Sequence, residues 1–185
     1  MVRLSTLLAA SAFALLLVPA VAMAAKGGPR TASLHASATM LQPVSVSVAL
    51  NLSSGAVKTH GSSPSGTATI PASYPVRATP APTYVNIDTV NGANAVAPNA
   101  AQINVTGSAS QAFTLHLQGW TQVSGQAGAT AASNTFYQPS GPATSDGVFD
   151  AQGHATVYVG ATITVPRNNP GTTVVMRPVF TVTYN

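Results

Sequence analysis

The side chains able to do acid–base, nucleophilic or metal chemistry are few. The whole chain of 185 residues holds three carboxylates and four histidines, and neither cysteine nor glutamate. The carboxylates are Asp88, Asp146 and Asp150; the histidines are His35, His60, His116 and His154. Asp146 and Asp150 flank Gly147, a grouping that raises calcium as a question. Calcium needs six to eight oxygens, and the EF-hand loop spacing is absent, so two turn-forming aspartates are the expectation. No two histidines stand at zinc-ligand spacing, and His116, between Leu115 and Leu117, falls on the opposite face of its strand from those leucines. Serines are plentiful, but no G-x-S-x-G sits between a strand and a helix. The glycines near Gly125 and Gly128 follow neither phosphate-loop nor dinucleotide spacing. Trp120, the single tryptophan, follows Gly119 at a strand end. It could stack on a sugar, or serve as an ordinary rim residue of a core. The expectation is a protein that is not an enzyme and needs neither metal nor cofactor.

Charge excludes a second class of function. Charged residues make up 5% of the chain and the net charge is +4, so the isoelectric point near 9.9 reflects a shortage of acids. The bases Lys26, Arg30, Lys58, Arg77, Arg167 and Arg177 are scattered, without the run or stripe that a nucleic-acid site needs. Hydrophobic residues at 45% argue against disorder. Sparse charge also weakens repulsion between copies.

The N-terminus addresses the compartment. Arg3 precedes an apolar stretch, Leu7 to Val18, which ends at Pro19 and a row of small residues. Ala22-Met23-Ala24 has small-x-small form, so residues 1–25 are expected to be a signal peptide cleaved after Ala24 or Ala25. The apolar core is short for a membrane span. Export follows, with no membrane span once the signal is removed.

What remains reads as β-structure. Short alternating runs of Val, Thr, Ile and aromatics are separated by Gly, Pro, Asn and Ser clusters, the signature of a sandwich or barrel. An outer-membrane barrel needs longer strands and aromatic girdles; aromatics here are 6%. Predicted strands cover Thr67–Ile70, Tyr84–Val90, Gln102–Thr106, Ala112–Gln118, Ala155–Val159, Ala161–Val165 and Thr173–Tyr184. Asn91-Gly92 reads as a turn. Gly107-Ser108 and Asp150–Gly153 read as hairpin turns, and Ser124–Ser133 as a loop.

One run is too long for its own domain. Even positions from Ala32 are apolar (Leu34, Ala36, Ala38, Met40, Val44, Val46, Val48, Leu50, Leu52), Gln42 excepted, and odd ones are mostly polar. Such alternation buries one face. At ~3.3 Å per residue the run would stretch about 70 Å, against about 17–20 Å for an ordinary strand. It therefore breaks at Gln42-Pro43, or its first half lies outside its own domain. Residues 26–42 form an N-terminal extension and 43–185 the sandwich domain. The extension either completes its own sandwich, bending at Pro43, or is donated to another copy.

The segment Asp146–Asn185, DGVFDAQGHATVYVGATITVPRNNPGTTVVMRPVFTVTYN, resembles the end of a family of small secreted bacterial proteins of unassigned function. Those close on a D-x-x-G turn, a V-G-G-T-L-x-V strand, an N/Q-x-x-G turn and an F-T-V-T-V-x-Y strand; Ala161 replaces the second Gly of the first strand here. ASATMLQPVSVSVALNLSSG and INVTGSASQAFTLHL match the same layout. That family is similar to chaperone–usher pilins of the archaic, spore-coat-U-like group. Many of those carry a disulfide, which this chain cannot form. The resemblance implies an immunoglobulin-like antiparallel β-sandwich lacking a strand, which a neighbour's extension supplies. It implies Leu34, Ala36, Ala38 and Met40 as the donor strand. It implies Gly171, Phe180, Val182 and the penultimate Tyr184 as the acceptor strand that a chaperone recognises. It also implies a homo-oligomer at the cell surface, with a periplasmic chaperone and an outer-membrane usher as partners. The alternative is a monomeric secreted binding module, with Trp120 contacting a glycan.

Overall fold

The structure, a computed structural model, describes residues 40–61, 63–90, 96–139, 141 and 143–185. The expected signal peptide, Leu34, Ala36, Ala38 and the Asn91-Gly92 turn lie outside the described residues. The chain divides into two units after Pro43; Val44–Asn185 is the one described below. The described residues are all-β, without a helix, and none of them forms a helix long and apolar enough to cross a membrane.

Two antiparallel sheets face each other. The first holds β1 (Ser45–Leu50), β6 (Ala101–Thr106), β10 (His154–Pro166), β3 (Ser65–Ile70), β4 (Thr83–Val85) and β8 (Thr130–Tyr137). The second runs β5 (Ile87–Thr89), β2 (Leu52–Thr59), β11 (Pro170–Tyr184), β7 (Ala112–Ser124), β9 (Asp146–Val148). The core follows from period-2 patterning. Val157, Val159, Ala161, Ile163 and Val165 of β10 are all buried, as are Ile103 and Val105 of β6. They meet Leu52, Phe113, Leu115, Val174 and Met176 from the second sheet. Fully burying each large aliphatic stabilises by about 1.5–3 kcal/mol.

β10 is continuous where the sequence suggests two strands. Tyr158 pairs with both Gln102 and Tyr137, and Thr162 with both Thr69 and Ala132. A strand has only two edges, so β6 and β3 share one edge of β10 in tandem, opposite β8. The chain leaves that edge beside Gly160, where a Cβ would stand 2.2 Å from the carbonyl oxygen of Ile70. Glycine here makes room for a departing backbone rather than ending a strand.

Four sequence expectations are corrected, the first being Tyr84–Val90: it is not one strand but β4 and β5, which lie in different sheets on either side of Asn86 at φ +56°. Gly107-Ser108 is not a hairpin turn, because β6 and β7 lie in different sheets, and the Asp150–Gly153 turn likewise carries the chain from β9 across to β10. Both are arches. Of the strands adjacent in sequence, only β3 and β4 pair. The last correction concerns Ser124–Ser133, whose end is strand: β8 starts at Thr130 and pairs antiparallel with β10.

A bare margin between two strands

β11 outlasts its neighbour on one side. It pairs with β2 from Pro170 to Met176 and with β7 from Val175 to Tyr184. From Arg177 to Thr183 the β2-side edge has no strand partner among the described residues. The cause is local: β2 begins at Leu52, opposite Met176, and the preceding chain crosses at Asn51 to become β1 of the other sheet, paired with β6. Asn99 Nδ2 donates to the Asn51 carbonyl at 2.7 Å and holds that crossing. Asn51 Oδ1 is buried there without a hydrogen-bond partner among the described residues. β1 pairs on one edge only, so two bare strand edges diverge from Asn51.

The side chains along this margin face inward yet stay uncovered. Residues directly opposite in an antiparallel pair share a face. Val46 pairs with Val105 and Val48 with Ile103. Val105 and Ile103 are fully buried, whereas Val46 is 38% exposed and Val48 half-buried. The same holds on β11. Val174, Met176 and Pro178 are buried, and the continuation of that row, Phe180, Val182 and Tyr184, is half-buried against the core. The inward row is intact, with Phe180 and Val182 left half-buried in its course.

Among the described residues β7 also lacks a strand partner on its β9 side beyond Thr114, and the edge strands elsewhere are blunted. β4, β5 and β9 are edge strands of three residues each, too short to template another strand. β8 is longer but carries an irregularity between its pairs with Gly160 and Thr162, and bulges also protect edges.

The other residues singled out from sequence are dispersed. Met40 is 78% exposed. Gly171 sits far from Phe180, at the start of β11, with φ +105° and Val90 at 3.3 Å from where a Cβ would be. Its service is to the turn after Asn169, whose buried amide donates to the Val57 carbonyl at 2.8 Å. Tyr184 accepts from the Ser108 backbone N–H at 2.7 Å and meets Phe149 edge-on at 5.9 Å. Phe149 stacks on Phe113 at 4.6 Å, so the C-terminus is clasped to the β6–β7 arch. Trp120 donates from Nε1 to Asn134 Oδ1 at 2.7 Å and packs partly against the core, tying β7 to β8. That tie was invisible in the sequence. His60 pairs with Asp88 at 3.0 Å, exposed to solvent, and Asp146 accepts from Thr114. No group of three or more metal-ligating side chains occurs among the described residues.

No family model matches the chain, and neither does any curated protein or solved structure.

Proposed function

We propose that this protein is the structural subunit of a cell-surface filament, assembled by insertion of one copy's N-terminal extension into the margin between β1 and β11 of the next. The observation that carries the reading is the exposure difference within cross-strand pairs, Val46 against Val105 above all. An inward valine beside a bare edge asks for one more strand. That strand must span the seven residues from Arg177 to Thr183, about 23 Å at 3.3 Å per residue. The extension suits the place: Leu34, Ala36, Ala38 and Met40 fall on one face at period 2, and no charge interrupts Thr31 to Leu41. Main-chain hydrogen bonds supply affinity in such strand addition and alternate side chains supply register. Head-to-tail exchange between identical chains gives an open filament rather than a closed ring. Export, with a periplasmic chaperone covering the margin in transit and an outer-membrane usher releasing it, belongs to the same proposal.

The test is light scattering behind size exclusion on the mature chain, beside a chain lacking Thr31–Leu41. Polymers of the full chain and an assembly-incompetent monomer of the deletion are expected. Two equally stable monomers would remove strand exchange from consideration.

A further inference from the structure

The extension and the margin that suits it belong to one chain, and the residues between them decide whether they can meet. Only Gln42 and Pro43 separate Leu41, the end of the extension's run, from Val44, which packs partly against the core just before β1. An extension lying in its own chain's margin would run beside the bare edge of β1. Parallel to β1, it would need a connection of about a dozen residues or more; two residues are there. Antiparallel to β1, it must form a hairpin, and the loop length then sets which side chains face inward. Val44, Val46 and Val48 are the inward row, and directly opposite residues share a face. A two-residue loop at Gln42-Pro43 would set Leu41, Thr39 and Ser37 opposite those valines, turning the polar face inward. A three-residue loop, Leu41 to Pro43, would set Met40, Ala38 and Ala36 opposite them, which is the matching register. That loop needs a type I turn followed by a left-handed residue. The left-handed position falls on Pro43, whose ring holds φ at about −65°. Gln42, preceding a proline, is also pushed out of the helical region that the turn requires. A five-residue loop, Thr39 to Pro43, keeps the parity but takes Met40 out of the row and still ends on the proline.

We propose, on the strand-exchange reading above, that Gln42-Pro43 bars the extension from its own chain's margin and so reserves that margin for the extension of a second copy. An extension arriving from another copy has no hairpin to close, so neither the loop length nor the proline constrains it. The described residues around the break agree. Met40 to Val44 form no strand, and Met40 and Leu41 are 78% and 45% exposed. A subunit able to fill its own margin would cap itself as a monomer. One barred from doing so is left with head-to-tail growth.

The experiment sets the full mature chain beside a double variant, Gln42→Asn with Pro43→Gly, which supplies a glycine at the left-handed position. Gln42→Asn alone, which keeps the proline, is the control. Each chain is refolded as a monomer at low concentration. Hydrogen exchange is read at the margin-facing amides of Arg177–Thr183, and the chain is then concentrated and sized by light scattering. The wild-type and Gln42→Asn monomers should exchange rapidly there and polymerise on concentration. The double variant should be protected there and lose the polymer peak. Protection in the wild-type or Gln42→Asn monomer, or rapid exchange in the double variant, would overturn the inference. A wild type that exchanges rapidly yet never polymerises, beside a protected double variant, would uphold the bar at Pro43 and remove the filament reading alone.

Discussion

The two long lateral flanks of the sandwich are built from similar materials and finished differently. Both place an extended strand of the second sheet (β11 or β7) near an edge strand of the first (β1 or β8), and none of these segments carries a carboxylate. At the β7–β8 flank, Trp120 reaches across to Asn134 and the sheets are tied. At the β1–β11 flank no such tie exists among the described residues, and Val46, Val48, Phe180 and Val182 are left inward-facing and partly wet. An open flank is therefore not a generic consequence of this fold. The same molecule bridges one side with a single tryptophan, and the other side has no such bridge among the described residues.

The sharpest test of that contrast substitutes aspartate at both members of one cross-strand pair. Val105→Asp buries an unpaired charge and should cost about 4 kcal/mol or more, enough to unfold the domain. Val46→Asp sits opposite on the same face but can reach water, and should cost about 1 kcal/mol or less by chemical denaturation, while abolishing polymer formation in light scattering. Equal destabilisation by the two would mean the margin is already covered in the isolated subunit.

Next in size is the closed flank. Trp120→Ala should cost about 2–4 kcal/mol, short of the loss for a fully buried tryptophan because the ring is only partly covered. Asn134→Ala removes the acceptor alone and should cost about 1 kcal/mol. Hydrogen exchange should rise in β7 and β8 in both variants and stay unchanged along β1. If the tie sets the difference between flanks, Trp120→Ala should also make the β7–β8 side prone to strand pairing, seen as new aggregates that survive deletion of Thr31–Leu41.

What was legible beforehand divides along the same physical line. Alternation exposed β10, β11 and β1 because period 2 depends only on which face is buried, and it placed Phe180, Val182 and Tyr184 on one face. Alternation does not say which sheet a strand joins. Gly107 and Gly153 read as hairpin glycines, yet they serve arches. A Cβ on Gly107 would meet Tyr184 and Phe149 at 2.7 Å, and one on Gly153 the Gly107 carbonyl oxygen at 2.2 Å. Of β8 only Thr135–Tyr137, with its two aromatics, reads as strand in the sequence; the Ala, Ser and Thr residues before it lack the bulk that marks strands. The Trp120–Asn134 tie is assembled from different strands, and no local pattern announces such a meeting. The bare margin was half legible: the over-long run pointed to a strand without a home, but not to the early start of β2 at Leu52 that leaves β11 unpaired.

The smallest expected effect is a pH response confined to one end of the molecule. Asp150 organises the β9–β10 arch by accepting from the Gln152 and His154 N–H groups, and its carboxyl lies below the ordinary 3.8 chiefly for that reason. A depressed folded value means the carboxylate contributes stability above pH 3.8, and that the contribution is lost as pH falls through the lower folded value. Asp150→Asn should therefore be less stable than wild type at neutral pH, and the gap should close as pH falls through the lowered folded value. The group is fully exposed, so the effect is local, and the amides of Gln152 and His154 are where NMR exchange should report it. Lining the bare margin, β1 and β11 contain no carboxylate. Binding of a Thr31–Leu41 peptide to a chain lacking that segment should accordingly hold steady across the interval in which the arch loosens. Parallel loss of both would show that the arch and the margin are one cooperative unit, coupled through the Tyr184–Phe149 contact, rather than two independently finished ends of the sandwich.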